Sequence, residues 1–334
     1  MELENQTGAL AQLLVVPDKD GYETLGVVVK ATWRLDGDRL VPAEEPVEIT
    51  QADVYYGKEN ETSVRLESDL ALYKPATDVV VLGHAYAPRG RAKEGKVVVR
   101  VGKAGLEARV FGDRKFAITL GFVRVVGPEP FEKIPLRWER SFGGCQPGKG
   151  RVIIAAEERN PVGQGFVGKK RRSYVNGLAL PNFEHPKKLI KKPGQKPPPI
   201  GFGFVGRAWL PRRKYMGTYD AKWEAERLPL LPVDFDDRAF CGAPEALQFT
   251  PHLKGGEPVL LDGVSPRGPL RFALPTSRPT ISVHWKGSWE EIPALLDTVV
   301  FEPDESRLAL TYRARLRIHN QVRKVRAIKI EGMS

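Results

Sequence analysis

One stretch of the sequence matches the first part of a phosphate-binding loop. Gly143–Lys149 has the spacing G-x-x-x-x-G-K, in which backbone N–H groups and a lysine hold phosphate oxygens. The next residue, Gly150, replaces the Ser or Thr that would bind magnesium, and Arg151–Ala155 is typical of a strand where a helix would be needed. We therefore expect no nucleotide hydrolysis at this stretch.

The acidic run VDFDDR offers carboxylates of the kind that hard cations bind. Asp234, Asp236 and Asp237 follow Pro232, and they lack the Gly and the terminal Glu of a calcium loop. Aspartates after a proline are typical of turns, in which the carboxylate accepts a backbone hydrogen bond. The run therefore predicts turn capping and no metal site.

Histidine and cysteine give no local catalytic motif. The histidines are scattered, with no pair four residues apart, so a zinc site would need long-range contacts only. Neither Cys145 nor Cys241 has a recognisable active-site setting, no G-x-S-x-G elbow occurs, and buried free thiols are predicted for both. We expect no enzyme activity, no catalytic residue, no metal and no cofactor. A pair of glycosidase carboxylates stays open, because its spacing is three-dimensional.

The net charge of +11 comes from one segment. Residues 151–214 contain 15 Lys and Arg against three Glu, a net charge of +12, and the remainder of the chain carries −1. A localised basic segment attracts an acidic partner, a phosphate backbone or an anionic surface. The alternative is a solvated loop with no partner.

Aromatic residues are interleaved with the basic residues of this segment. Such a pattern can stack and neutralise single-stranded nucleic acid, or it can anchor a protein interface, where aromatic residues and Arg are enriched. Ordinary core packing is the alternative for each ring. The candidate partner contacts are Arg171, Arg172, Tyr174, Phe183, Phe202, Phe204 and Trp209.

Short β-strands have to position all of these residues. Asp78–Ala85 is an apolar β-branched run between breakers, and Arg307–Arg317 alternates apolar with polar residues. The only helices predicted are short, at Tyr219–Arg227 and Pro293–Leu296. The predicted fold class is mainly β, with antiparallel, sandwich-like sheets, long Gly/Pro/Lys-rich loops and few short helices. Further strands are predicted at Leu13–Val16, Gly26–Trp33, Lys96–Val101, Glu107–Phe111, Leu120–Val126, Val152–Ala155, Thr280–Trp285 and Thr298–Phe301.

Composition divides the chain into three portions. Residues 1–145 form a first β-rich lobe, 146–215 a basic Gly/Pro-rich loop region, and 216–334 a second β-rich portion that packs on the first. No apolar stretch approaches the roughly 20 residues needed to span a bilayer. The first residues, MELENQTGAL, are acidic where a secretory signal is basic, so a cytoplasmic location is expected.

Six motifs occur in a fixed order between about Val27 and Arg315. They are DLALYKPATDVVVLGHAYAP, RWERSFGG, NPVGQGF, GLALPNFE, PVDFDDRAF and LLDTVVFEPDESRLALTYRA. In this order they resemble the bacterial family called domain of unknown function 2169. The resemblance implies an adaptor or chaperone of type VI secretion, which loads a toxic effector onto a spike tipped by a PAAR protein. It implies no catalytic residue.

The adaptor hypothesis assigns a role to each portion. The first lobe and the last strands would form the scaffold, and the segment from Arg140 to Lys214 would hold the PAAR-linked N-terminal region of the effector. The Lys- and Pro-rich insert at residues 187–199 departs from the family pattern, and its role in cargo choice is open. Two alternatives remain: a nucleic-acid-binding protein that uses residues 151–214, and an unrecognised hydrolase.

Overall fold

The computed structural model describes residues 1–37, 39–149, 152–169 and 172–333. These residues are mainly β, and their helices α1 (Arg172–Val175), α2 (Leu210–Arg213) and α3 (Ala221–Glu226) are short. Single 3-10 turns occur at Pro88–Gly90, Trp138–Arg140, Asp237–Phe240, Glu245–Leu247, Pro303–Glu305 and Val322–Lys324. The strands are β1 Glu2–Asn5, β2 Leu10–Pro17, β3 Glu23–Asp36, β4 Arg39–Pro42, β5 Val54–Tyr55, β6 Val64–Leu66, β7 Thr77–Val81, β8 His84–Tyr86, β9 Glu94–Val101, β10 Ala104–Phe111, β11 Arg114–Thr119, β12 Phe122–Val126, β13 Lys133–Pro135, β14 Phe142–Gly143, β15 Cys145–Pro147, β16 Ile153–Ala156, β17 Gln164–Gly165, β18 Ala179–Leu180, β19 Phe183–Glu184, β20 Gln248–Phe249, β21 Pro258–Asp262, β22 Leu270–Ala273, β23 Thr280–Trp285, β24 Ser288–Ile292, β25 Leu295–Glu302, β26 Arg307–Arg317 and β27 Val325–Glu331.

The main sheet unites the two ends of the chain. Its strand order is β2-β3-β26-β25-β7-β20, and β4 also pairs with β3. Strands β3 and β26 are antiparallel from Arg34 opposite Arg307 to Thr24 opposite Arg317, whereas β7 and β25 are parallel. The β-branched run in β7 is buried on both faces, as expected for a central strand. The first and last portions of the chain are thus joined by hydrogen-bonded strands.

Other sheets pack around the same core. A five-stranded sheet has the order β19-β10-β9-β21-β22, and a four-stranded sheet has the order β1-β27-β23-β24. Val79 of the main sheet, Val99 of the five-stranded sheet and Ile281 of the four-stranded sheet belong to one hydrophobic cluster. The mainly β, mostly antiparallel fold class is therefore confirmed.

The central portion is folded onto the first lobe. Its strands β18 and β19 pair with β11 and β10 of the first lobe, and a second small core contains Phe116, Phe142 and Leu180. The insert is also anchored, because Ile190 is buried in this core and donates its N–H to Glu184 Oε2 at 2.7 Å. The Gly/Pro-rich composition predicted a loop region, but its apolar residues are spaced to fill a core.

Two predicted elements differ from the structure. Asp78–Ala85 is divided between β7 and β8, because Gly83 turns the chain at φ +137° and a Cβ there would lie 2.9 Å from Asp304 Oδ2. The predicted helix at Pro293–Leu296 is wrong, since Leu295 and Leu296 begin β25 and pair with β26. Strand pairing outweighs the local propensity of this short run.

The other predicted helix is confirmed. Helix α3 lies within Tyr219–Arg227, and Asp220 caps it by accepting the Trp223 N–H at 2.8 Å. No helix in the described ranges is both long and apolar enough to cross a membrane.

Candidate partner-binding groove

Two of the sequence motifs and the insert converge at one groove of about 260 Å³. Its wall includes Trp138 of RWERSFGG, Arg238 of PVDFDDRAF with the following Cys241, and Pro198 and Pro199 of the insert. We call it the proline–aromatic groove. Its other lining residues are Arg159, Val205, Pro211, Arg212, Lys214, Tyr215, Ala243, Pro244, Glu245 and Gln248.

The floor of the groove includes Trp138, which packs on a second, buried tryptophan, Trp209. The Trp138 ring meets the Trp209 ring edge to face, with centroids 5.7 Å apart, and its Nε1 donates to the Gly203 carbonyl at 3.2 Å. Two glycines allow this packing, because a Cβ at Gly201 or Gly206 would lie 2.7 Å from the Trp138 or Trp209 ring. The glycines of GFGFVG therefore leave space for two large rings to pack against the backbone.

Asn160 holds two of the motifs together beneath the groove. Its side chain is fully buried, and Nδ2 donates to the Trp138 carbonyl at 2.9 Å and to the Phe142 carbonyl at 3.0 Å. The motif NPVGQGF is thereby fixed against RWERSFGG. A buried amide with paired donors rigidifies its surroundings, since losing a partner would leave an unsatisfied polar group.

Arg212 links the groove to a buried carboxylate. Its guanidinium donates to the carbonyls of Val205 and Ala239, and Nη2 lies 2.7 Å from Glu67 Oε1. Arg207 Nη2 is 3.1 Å from the same oxygen, and Lys74 Nζ is 3.5 Å from Glu67 Oε2. Burial favours the neutral form of Glu67, but these cations outweigh it and lower its pKa.

Lys74 extends this ion pairing into the main sheet. Its ammonium lies 2.8 Å from Asp78 Oδ2, and the same carboxylate accepts the N–H groups of Gly242 and Ala243 at 2.7 and 3.1 Å. Burial opposes the charge of Lys74, but Asp78 and Glu67 outweigh it and raise the pKa of the amine. The wall of the groove at Ala243 is therefore fixed to β7.

These side chains belong to what we call the buried charge network. Thr298 accepts a hydrogen bond from Lys74 and donates one to Asp297, which connects the groove side to the Asp297–Arg313 pair. The network balances five cations with five carboxylates. Its members are Lys30, Lys74, Arg207, Arg212, Arg313, Asp53, Glu67, Asp69, Asp78 and Asp297.

Cations line the rim of the groove. Arg159 forms two hydrogen bonds of 2.7 Å to Glu157 and also donates to the Pro197 carbonyl at 3.2 Å, which ties the insert to the body. Arg238 lies 4.3 Å from the centroid of the Tyr215 ring, and Lys214 Nζ lies 4.7 Å from it. An apolar floor under a cationic rim suits a chain segment that has apolar side chains and acidic groups.

The two cysteines are free thiols, as predicted. Burial raises the pKa of Cys241, on the groove wall, to about 12, and burial also raises the pKa of Cys145. Cys241 is buried, whereas Cys145 is partly exposed and donates to the Pro161 carbonyl at 3.3 Å. Neither is an activated thiolate, because a nucleophilic cysteine needs a lowered pKa.

Four of the seven candidate contact residues are core residues. Their exposed fractions are 1%, 1%, 2% and 8% for Phe183, Phe202, Phe204 and Trp209. We therefore correct their assignment as surface contacts, because the strands and glycine turns of the central portion point these rings inward. Tyr174 is half-buried and donates to the Phe166 carbonyl at 3.1 Å. Arg171 lies outside the described residues, and Arg172 is the first residue of α1.

The acidic run behaves as a turn, as predicted. Asp234 accepts hydrogen bonds from the N–H and the hydroxyl of Thr218 at 3.0 and 2.8 Å. Asp236 caps the following 3-10 turn by accepting the Arg238 N–H. The Gly143–Lys149 stretch contributes to β14 and β15, and Gly150 and Arg151 lie outside the described residues.

Two other cavities differ from the groove. The larger, about 490 Å³, lies beside Tyr86, and its charged residues include two ion pairs, Lys96–Asp262 at 3.1 Å and Arg109–Glu94 at 2.5 Å. A smaller one of about 190 Å³ contains His84, whose Nδ1 lies 2.7 Å from Asp304 Oδ2. The described lining of this cavity contains no Ser, Thr or Cys that such a His–Asp pair could activate as a nucleophile.

Sequence reasoning missed the groove and the buried charge network. One signal was present, because the motif DLALYKPATD places Asp69, Lys74 and Asp78 among apolar residues. Charged residues within an apolar stretch indicate buried ion pairs, since Lys and Asp are seldom buried without partners. The partners Glu67 and Arg212 are far apart in sequence, and no local pattern connects them.

Comparison with known proteins gives one match. The family model described as "Uncharacterized protein conserved in bacteria (DUF2169)" matches residues 20–313. No curated protein and no solved structure matches the chain. The matched range includes the whole proline–aromatic groove, all of the buried charge network and most of the main sheet. The chain therefore belongs to the bacterial DUF2169 family.

Proposed function

We propose that this protein is an adaptor or chaperone in the cytoplasm that binds a type VI secretion effector and helps to load it onto the spike. The cargo region would be the PAAR-linked N-terminal part of the effector. The observation that supports this proposal is the proline–aromatic groove, where residues of RWERSFGG, of PVDFDDRAF and of the insert contribute to an apolar floor and a cationic rim. Interfaces favour such aromatic and Arg-rich surfaces.

The buried charge network would make the groove a rigid receptor. Arg212 and Ala243 line the groove, and each is fixed from below by a buried carboxylate, Glu67 or Asp78. A preorganised surface loses little conformational entropy when a partner binds, so more of the contact energy appears as affinity. Rigid positioning of an extended client is what an adaptor requires.

The basic insert would attract an acidic client to the groove. Lys187, Lys188, Lys191 and Lys192 are exposed, whereas Pro198 and Pro199 of the same insert line the groove wall. Exposed charges at a rim mainly raise the association rate. By contrast, Arg159, Arg207, Arg212 and Arg213 of the basic segment are paired with carboxylates of this chain, which leaves fewer free cations in this segment for a phosphate backbone.

The test is co-expression of this chain with the products of its neighbouring genes as candidate effector and spike proteins, followed by size-exclusion chromatography at moderate salt. We expect a stable complex with the N-terminal region of the effector. Elution of the chain alone, next to a folded and soluble effector, would contradict the proposal. Micromolar binding to any DNA duplex that collapses steeply with salt would favour the nucleic-acid alternative.

The lysines of the insert give a first prediction. Changing Lys187, Lys188, Lys191 and Lys192 to Ser is expected to lower the association rate with the effector by about tenfold at low salt, and less at high salt. Stopped-flow fluorescence measures this rate. Deleting the whole insert is a poorer test, because Ile190 belongs to the core. The matched control changes four exposed lysines elsewhere, Lys58, Lys93, Lys103 and Lys324. If the two variants associate with the effector at equal rates, the lysines of the insert have no specific role in cargo recognition.

The groove gives a second prediction. Tyr215→Ala is expected to weaken effector binding by about tenfold or more, because the half-buried ring at the rim has the position of an interface anchor. Isothermal titration calorimetry measures the dissociation constant. Trp289→Ala, on the exposed strand β24, is the control and should bind as the wild type does. If Tyr215→Ala binds the effector with wild-type affinity, the effector does not bind at the proline–aromatic groove.

A further inference from the structure

Strand β12 has an unpaired edge. It is the outer strand of the sheet with order β12-β11-β18. On the other side of β11, the N–H groups of Phe116 and Ile118 bond to Leu178 and Asn176. In an antiparallel strand, successive residues direct their N–H and C=O groups to opposite sides, so the residues of β11 that alternate with Phe116 and Ile118 bond to β12. The same alternation in β12 directs the N–H and C=O groups of Val123 and Val125 away from β11. No described residue pairs with them.

The hairpin that ends in β12 exposes apolar side chains. Phe122, Val123 and Val126 are 69%, 42% and 44% exposed. Leu120, at the tip, is 90% exposed and has a φ of +49°, a left-handed conformation in which Asn or Gly is preferred. Open apolar edges invite strand pairing, and folded proteins usually protect them. The hairpin lacks this protection in the described structure.

The solvent face of the hairpin is positively charged. Register places Lys115 opposite Val126 and Arg124 opposite Ala117, so both cations lie on the same face, together with Phe122. Both are exposed, and neither forms an ion pair with a described residue. An added strand would thus meet cations and apolar side chains, which favours acidic and apolar residues in alternation.

Pairing with a second copy is disfavoured by the same charges. The self-pairing register that uses all five residues of β12 is centred on Arg124, so it places Arg124 opposite Arg124 of the other copy. Like charges directly opposite each other destabilise a strand pair. The edge therefore fits a different chain better than it fits itself.

We propose that the free edge of β12 is a docking site for an extended acidic segment of a partner protein, which adds to the sheet as a fourth strand. Main-chain hydrogen bonds to Val123 and Val125 would supply the attachment, and Lys115 and Arg124 would select acidic side chains. This site is separate from the proline–aromatic groove and does not depend on the proposed secretion role.

The test uses a fluorescent ten-residue peptide of alternating Glu and Val, and fluorescence anisotropy as the readout. The full-length protein should bind it, and a peptide of alternating Lys and Val should not bind. Val123→Pro should abolish binding, because it removes an outward N–H, and proline is tolerated at such edge positions. Arg124→Glu should weaken binding about fivefold. The control, Arg271→Glu on the outer strand β22, should bind normally.

Three results would overturn the proposal. The first is failure of the acidic peptide to bind the wild-type protein. The second is equal binding of the peptide by the wild-type, Val123→Pro and Arg124→Glu proteins, all with the same circular dichroism spectrum. The third is a wild-type dimer in size-exclusion chromatography that Val123→Pro dissociates, since the edge would then be occupied by a second copy.

Discussion

Glu67→Gln is expected to lower the free energy of unfolding by about 3–5 kcal/mol at neutral pH. The carboxylate of Glu67 is the shared partner of Lys74, Arg207 and Arg212, and its side chain is only 3% exposed. Glutamine has nearly the same shape but no charge, so three cations would lose their common counter-ion, and two of them, Lys74 and Arg212, are almost fully buried. Urea denaturation followed by tryptophan fluorescence measures the loss.

The pH dependence of this loss has a defined sign. The pKa of Glu67 is lowered below its ordinary value of 4.5, so the stability that its ionisation provides is present above pH 4.5 and disappears as the pH falls through the native value. The Gln variant lacks this titration. The difference between the two proteins should therefore shrink in acid.

Glu158→Gln is the matched control for Glu67→Gln. Glu158 also pairs with an arginine, Arg213, but the two side chains are 57% and 51% exposed. Surface ion pairs contribute little, so we expect a change of about 0.5 kcal/mol or less. If Glu67→Gln changes the free energy of unfolding as little as Glu158→Gln does, the buried charge network contributes little to the stability of the protein.

Arg313→Met is expected to destabilise the protein by about 3–5 kcal/mol. Arg313 donates to Asp297 and to the carbonyl oxygens of Asp69 and Ala71, and its side chain is 4% exposed. Methionine fills much of the space, but it leaves the Asp297 carboxylate without its cation and two carbonyls without donors. Chemical denaturation is again the measurement, with Arg34→Met, which removes an exposed ion pair to Asp36, as the control.

A double variant separates lost pairing from lost packing. Asp297→Asn combined with Arg313→Met removes both charges, so we expect about half of the loss to be recovered. The two carbonyls stay unpaired, at a cost of about 1–3 kcal/mol, which keeps the recovery incomplete. A double variant as unstable as Arg313→Met alone would contradict the electrostatic explanation.

Asp297 shows why the buried charge network was not visible in the sequence. It lies at a β-bulge, where the register with β26 shifts between Leu296 and Thr298. A bulge redirects a side chain and breaks the two-residue alternation from which its direction would be predicted. The same region was predicted to be helical, and pairing with β26 decided otherwise.

The sequence by itself determined the mainly β class, most of the strands, the turn at Asp234–Asp237 and the family. These features depend on residues that are close together, because period, breakers and capping act within a few positions. The central portion was different. Its Gly, Pro and Lys content hid the inward direction of Phe202 and Trp209. The packing of Trp209 depends on Gly206, where a Cβ would lie 2.7 Å from the ring.

Only the tertiary structure decided which residues meet at the groove and which strand edge is open. Glu67 and Arg212 contact each other across the chain, and Pro198 faces Arg238 because the insert folds back onto the body. The open edge of β12 follows from the order of strands in its sheet, which no local pattern specifies. Local sequence sets which elements form, whereas long-range packing and charge pairing set which side chains are left to face a partner.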